Sequence, residues 1–348
     1  MIVRVKVAET DAEKDALFEA RHRCYVEQGE WMDPRPDGRI VDVYDGLSVS
    51  VNFMAVCDGV VVGGVRYTEE NPLGTVADEM FDFTPHLTGT KRASPSMFFV
   101  DHAFQHAPAV VRGITNTFHH YAVHAGCDET YAACSPTAWP TVKKFGVVEL
   151  ADDVLVGRNG LPFIPYKLAA SDYMEAFVSY MADHELGSVL DVWDRIFVTA
   201  GDTVVKRGEL ATHAFLVIGG EAVLRREDGA TLTIRPHALF GEQLVIEGRR
   251  WPYALQAATD LELLAIDLDA LMDRVLAHPA VVTRLGELSQ GPWVQLLGDG
   301  ADEVDFDQEP RRHERPRPQP STPNVRPKGP EPQRDQWGDS VEEPSTRP

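Results

Sequence analysis

The sequence predicts an α/β (α+β) domain followed by a small β-barrel or jelly roll and a proline-rich tail without a core. Three observations predict it. Residues 1 to 168 alternate helical and strand-like hydrophobic patterns. Residues 191 to 268 read as short strands separated by turn signals at Gly201-Asp202, Gly219-Gly220 and Asp228-Gly229. The last 48 residues hold ten of the 24 prolines, with 8 Lys/Arg, 11 Asp/Glu and almost no aliphatic side chains. The length of 348 residues agrees, since ~150 residues per domain allows about two.

Composition narrows the function classes. Hydrophobic residues make up 43% and charged residues 25%, which excludes a fibrous or wholly disordered chain. The net charge of −21 disfavours nucleic-acid binding, which relies on Lys and Arg neutralising phosphates. No apolar run approaches the ~20 residues of a membrane span. Met1-Ile2-Val3-Arg4-Val5-Lys6 has too short an apolar stretch for a secretory signal. Cys24, Cys57, Cys127 and Cys134 form no CxxC and no metal-ligand spacing, the pattern of free thiols in a reducing compartment. A cytoplasmic protein without a metal centre is expected.

Taken in order, Ile2–Val7 is a strand and Thr10-Asp11 starts a helix, with Leu17, Phe18, Arg21, Cys24 and Tyr25 on one side. A loop rich in Gly, Asp and Pro covers residues 29 to 46. Val49 to Ala55 and Val60 to Tyr67 form a hairpin about Asp58-Gly59. Ser96 to Asp101 is a short strand, Val111 to Gly126 a helix, Thr130 to Cys134 a strand and Thr137 to Phe145 a helix. Gly146 to Val156 and Pro162 to Leu168 complete the unit. Ser171 to Leu186, with Ser171 at an N-cap and Tyr173, Phe177, Tyr180 and Met181 at helical spacing, reads as a linking helix within residues 169 to 190.

The order of motifs over residues 1 to 168 resembles the GNAT acyltransferase superfamily, in its acyl-homoserine-lactone synthase and N-acyl amino acid synthase branch. The matching stretches are Leu17 to Tyr25 followed by Trp31, then Asp42-Val43-Tyr44-Asp45, Val62-Gly63-Gly64-Val65-Arg66-Tyr67, Val111-Arg112-Gly113-Ile114 and Lys143-Lys144-Phe145-Gly146-Val147. The resemblance implies an acyl thioester such as acyl-CoA as donor and an amine as acceptor. It implies a polarising backbone N–H within Phe98 to Asp101, which puts Phe99 and Val100 at the cofactor. It also implies a phosphate contact at Arg112-Gly113, at a helix start where the dipole favours anions.

The chain departs from that pattern in three places. Ile40 stands where the synthases carry an acid, Met97 where they carry an Arg, and Val142 near the usual general-acid Tyr. Arg21, Trp31, Asp42, Asp45 and Arg66 remain. The four charged residues have two open roles: an internal salt-bridge set holding the loop over the sheet, or positioning of the amine and the acyl pocket. Trp31 suits a pocket wall. Asp101 and His102, at the end of the central strand, are the candidate general bases. His120 and His124 share a helix face at i, i+4 but have no third ligand in the sequence.

Residues 191 to 296 resemble the cyclic-nucleotide-binding domain. The pieces are Ala200 to Glu209, Ala214 to Ala222, Phe240-Gly241-Glu242 and Ala258 to Ile266, followed by a helix from Asp269. The resemblance implies cyclic AMP or cyclic GMP as ligand, with Glu242 accepting the ribose hydroxyl. The family's phosphate-binding Arg falls nine or ten residues after that Glu, where this chain has Trp251 and Pro252. Arg249 and Arg250 lie one or two positions early, so a one-residue slip and a site without phosphate binding are both open. No helix-turn-helix pattern follows.

Residues 297 to 348 are expected to be disordered. Arg311-Arg312-His313-Glu314-Arg315-Pro316-Arg317-Pro318 could dock on a partner as polyproline II, against the plainer reading of a solubilising tail. Of the net −21 the tail supplies only three, so the folded part is itself acidic, which disfavours an acidic carrier protein as acyl donor. The reading that follows is an N-acyltransferase regulated through the barrel. Its rivals are a cyclic-nucleotide effector with a dead acyltransferase domain and a scaffold with both sites lost.

Overall fold

The computed structural model describes residues 1–29, 31–157, 160–169, 194–225, 229–236, 238–241, 244–245 and 247–267. The expected linking helix, the helix from Asp269, the tail, and the residues Asp228 and Glu242 lie outside the described residues.

Strand β1 (Ile2–Val7) leads into helix α1 (Asp11–His22). Thr10 starts the helix through a capping box. Its hydroxyl accepts from Glu13 N at 3.2 Å, and the Glu13 carboxylate accepts from Thr10 N at 3.1 Å. Past His22 the helix widens into a π-helical segment, Arg23–Gln28. β2 (Ser50–Cys57) and β3 (Val60–Glu69) form the expected hairpin. Asp58 and Gly59 have φ of +49° and +79°, the left-handed pair that a two-residue turn of this hand requires.

β3 lies mid-sheet with helices on both faces, and Gly63-Gly64 makes that possible. A Cβ on Gly63 would come within 2.7 Å of Ile114 on α2 (Pro108–His124), and one on Gly64 within 2.9 Å of Leu17 on α1. β4 (Arg92–Val100), β5 (Glu129–Cys134), β6 (Val148–Glu149), β7 (Leu155–Val156) and β8 (Pro162–Ala169) complete this half, with α3 (Trp139–Val142) between β5 and β6.

Several expected boundaries move. The helix expected from Val111 begins at Pro108, because proline with no N–H to lose suits the first turn. The helix expected over Thr137–Phe145 is one turn of α3 plus a 3-10 turn, Lys143–Phe145. The stretch from Gly146 to Val156, expected to help complete the unit, holds two short strands, β6 and β7, on either side of Asp152-Asp153.

Among the described residues the second half has eight strands in two sheets: β9 (Arg195–Val198), β10 (Thr203–Val205), β11 (His213–Gly219), β12 (Ala222–Arg225), β13 (Thr231–Ile234), β14 (Leu239–Phe240), β15 (Ala254–Ala257) and β16 (Leu261–Asp267). β10-β15-β12-β13 form one sheet. The other, β14-β11-β16-β9, does not stop at its edge. β9 pairs antiparallel with β1, with Val3 opposite Phe197, so the two halves share a sheet ordered β14-β11-β16-β9-β1-β2-β3-β4-β5-β8-β6.

The seam is also a shared core. Phe197 is fully buried in a cluster with Val3, Val5, Val110 and Ile114. A Cβ on Gly113 would meet its ring at 2.9 Å. Around it, Arg4 donates to Asp194 at 2.7 Å, Asn116 to Glu262 at 3.0 Å and Arg112 to Asp260 at 3.2 Å. Buried Arg195 donates to Glu262 at 2.9 Å.

Candidate functional site

The site is built where the sheet opens. β4 pairs in parallel with β5 at Arg92–Glu129 and Ala93–Thr130. Pairing stops there, although β4 continues to Val100 and β5 to Cys134. On its other side β4 bulges: Gly64 faces Phe99 and Arg66 faces Ser96, so Met97 and Phe98 stand opposite Val65 alone. Met97 has φ +50°, a left-handed conformation costly for a methionine. Asp101 N donates to Val62 O at 2.8 Å and Phe99 pairs with Gly64. By strand alternation, Val100 N–H and Phe98 C=O then face away from β3, on the side where β5 has diverged.

Tyr25 reaches this edge from the π-helical segment. Its hydroxyl donates to Phe98 O at 2.7 Å, and its ring packs against Trp31 and Phe99 at 5.8 and 6.3 Å between centroids. Its backbone carbonyl accepts from Trp31 N and Met32 N. Trp31 is 53% exposed and Phe98 42%, so these rings form an open apolar rim. The sequence placed Tyr25 on a helix face, but its hydroxyl's partner lies 73 positions on. No local spacing signals that contact.

The four charged candidates come together. Arg21 donates to both oxygens of Asp45, at 2.9 and 3.0 Å, and to Asn52 Oδ1 at 2.6 Å. Arg66 grips Asp42 in a two-pronged pair at 2.5 and 2.9 Å, lies 3.1 Å from Asp45, and donates to Ser96 Oγ at 3.0 Å. Both guanidinium groups are fully buried. Burial by itself would raise the Asp45 carboxyl; Arg21 and Arg66 outweigh it and hold the pKa below the ordinary carboxylate value. The ion pairs of the first open role are formed. They join α1, the 42–45 turn, β3 and the stretch of β4 just before the bulge.

Asp101 accepts from Arg23 Nε at 2.9 Å, Gln28 Nε2 at 3.2 Å and Ala103 N at 3.1 Å. Burial pushes its pKa up, but these donors win and it stays below the usual range. A carboxylate so held is a weak base, so Asp101 anchors the π-helical segment to the end of β4. His102 is exposed beside it, its backbone N donating to Gln28 Oε1 at 3.1 Å. Arg112 and Gly113 are expected at a helix start. The helix begins at Pro108, so both sit in its second turn. Arg112 binds Asp260, and Gly113 lies under Phe197. Among the described residues, no group of three His, Cys, Asp or Glu could hold a metal ion. The four cysteines are unpaired.

In the barrel, Gly241 has φ +86°, and a Cβ there would fall 2.3 Å from the Trp251 indole. Trp251 is 2% exposed and packs among Phe215, Phe240 and Tyr253. The neither-slipped register follows from backbone bonds: Trp251 N donates to Glu209 O and Gly208 N to Trp251 O, both at 2.8 Å, turning Trp251 inward. Arg250 instead donates to Gly208 O at 2.8 Å and Arg249 pairs with Glu247 at 3.1 Å. Of the alternatives left open, the one-residue slip that would turn Arg250 inward is not seen. An apolar ring thus stands against Gly241, while Glu242 and Gln243, which follow it, lie outside the described residues.

Comparison with known proteins finds a similarity for each half. Residues 16–168 match the family model "N-acyl amino acid synthase FeeM", and residues 195–278 match "Cyclic nucleotide-binding domain". Among solved structures, the chain resembles FeeM, an N-acyl amino acid synthase from uncultured soil microbes, at 16% identity and a TM-score of 0.41, over 50% of this chain and 96% of that one. It also resembles the CoA-dependent acyl-homoserine lactone synthase BjaI, at 20% identity and a TM-score of 0.41, over 51% and 89%. A cGMP-dependent protein kinase of Eimeria tenella is 23% identical over 151 residues, 42% of this chain, which spans only 15% of that relative's length. The chain thus joins a stretch similar to the N-acyl amino acid synthase FeeM to a β-rich stretch similar to the cyclic nucleotide-binding domain.

Proposed function

We propose that the first domain transfers an acyl group from an acyl thioester, acyl-CoA, to an amine. The observation that carries this reading is the open edge of β4, with Val100 N–H facing the gap left by β5. A thioester carbonyl lying there accepts that N–H, which stabilises the oxyanion as the amine attacks. The C–N bond forms, the C–S bond breaks, the amine proton passes to exposed His102 directly or through water, and the thiolate is reprotonated. Trp31 and Phe98 line the apolar side for the acyl chain. The buried Arg21–Asp45–Arg66–Asp42 set fixes the loop and β4 around it.

Thiol release from a panel of acyl-CoAs with amino acids and other amines tests this. Release that depends on one class of amine supports it. No release with any pair favours the rival of an inactive acyltransferase domain, for which the buried Ile40 and the Met97 and Val142 substitutions speak. The barrel is read as the regulatory partner, coupled through β1–β9 and α2. Calorimetry with cyclic AMP and cyclic GMP decides its ligand. The inward Trp251 favours a second reading in which the barrel binds neither and serves as a structural partner.

A further inference from the structure

We infer that Tyr25 is a positioning residue for the acyl-transfer site, holding the bulged edge of β4 so that Val100 N–H stays directed at the substrate carbonyl. The inference rests on the acyltransferase reading above and goes beyond it by naming what keeps the donor in place.

An unpaired strand edge alternates acceptors and donors. On this edge, Phe98 C=O and Val100 N–H lie two residues apart on the same side, as they would to meet a neighbouring strand. β5 supplies no such neighbour beyond Ala93. Tyr25 takes the acceptor half of the vacancy, its hydroxyl 2.7 Å from Phe98 O. That bond fixes the peptide plane between Phe98 and Phe99, one residue before the donor. It does so next to Met97, whose left-handed φ of +50° has to be maintained by its surroundings. The ring is seated by Trp31 and Phe99, and the backbone is tied to the Trp31 loop. Tyr25 also lies in a π-helical turn, a deformation that re-aims side chains and recurs at functional sites. Burial pushes its phenol above the ordinary value, so it keeps its proton and donates throughout the working pH range. The hydroxyl is spent on Phe98 O, which distinguishes this role from proton delivery to the leaving thiolate.

Tyr25→Phe removes the hydroxyl and keeps the ring. With acyl-CoA and an accepted amine, kcat should fall about tenfold while KM for acyl-CoA stays within about twofold, since the oxyanion contact matters most in the transition state. The pH–rate profile should keep its shape. In the ligand-free protein, amide exchange of a peptide covering 97–101 should quicken about tenfold, with β2 and β3 unchanged and the melting temperature close to that of the parent. Unchanged kcat, a rise confined to KM, or loss of the alkaline limb overturns the proposal, the last by making Tyr25 a general acid. If the parent protein releases no thiol with any amine, the acyltransferase reading fails. The exchange measurement then still decides whether Tyr25 holds the edge of β4, and unchanged exchange at 97–101 refutes it.

Discussion

Truncating Phe197 to alanine probes the seam between the two domains. Phe197 lies outside the stretch matched to the acyltransferase family, yet its ring is fully buried among β1 and α2 side chains of that domain. Losing a buried Phe side chain and leaving a cavity costs about 3–5 kcal/mol. With a urea dependence of ~2–3 kcal/mol per molar, the unfolding midpoint should drop by about 1–2.5 M. Hydrogen exchange should quicken in β1 and α2 as well as in β9. Gly113→Ala supplies the converse: its new methyl lies 2.9 Å from the Phe197 ring, and overpacking costs roughly 1–3 kcal/mol. In the double variant the methyl enters the vacated space, so the pair should be less destabilised than the sum of the two. Val60→Ala, at a side chain 54% exposed, is the control and should move the midpoint little. A Phe197→Ala midpoint within 0.3 M of the parent (roughly 0.6–0.9 kcal/mol on that slope), or faster exchange confined to the barrel, would refute the shared core.

Arg66→Met should destabilise by about 1–3 kcal/mol, because it removes the two-pronged partner of Asp42 and leaves Asp45 with Arg21 alone; a variant melting at the parent's temperature would count against the network. Gly241→Ala should cost roughly 1–3 kcal/mol from overpacking against Trp251, with left-handed strain added, and Trp251→Phe in the same chain should recover part of it by chemical denaturation. Stability should fall in two acid steps. Burial lowers the His119 pKa from 6.5 to about 4, so the unfolded chain binds more protons and stability is lost as pH falls from 6.5 to 4. Burial works to raise the Glu13 carboxyl, but Lys6 and the helix-cap bonds lower it from 4.5 to about 2, so its contribution is lost across that lower window. His119→Gln should shrink the upper step in midpoint-against-pH curves and leave the lower one; the rest of the upper step comes from His120 and His213, whose pKa burial also lowers.

Much of the fold is legible because it is local. Thr10 with Glu13, Asp58-Gly59 and the strand pattern of β3 each act within a few residues, and each stands where the sequence puts it. The charged cluster was legible as a set of residues, but its pairing was not, since Arg21 to Asp45 and Arg66 to Asp42 are set by how β3 packs under α1. Tyr25 and the β4 bulge were illegible for a related reason. A bulge is a mismatch between two strands, and neither strand's pattern alone records it. Arg112-Gly113 misled because a glycine near a helix start reads as a phosphate contact, whereas here it makes room for Phe197.

The seam also limits how the barrel can influence the proposed acyltransferase site. From Phe197 the contacts run to Gly113 and Ile114 on α2, then to Gly63 on β3, and across the β3–β4 pairing to Phe99 and Val100. Each step is close packing at a glycine or a backbone bond, with little room for graded adjustment. A ligand that changes activity along this route must favour one of two discrete packings, and its effect is bounded by its differential affinity for them. A ligand bound equally by both would raise stability without changing kcat. Because the core is shared, that stabilisation should appear in β1 and α2 as well as in the barrel. The two cases separate in one experiment, with exchange and turnover measured side by side under the same ligand. Protection spreading into α2 without a change in turnover identifies the barrel as a structural partner. Protection accompanied by a change in kcat identifies it as a regulator.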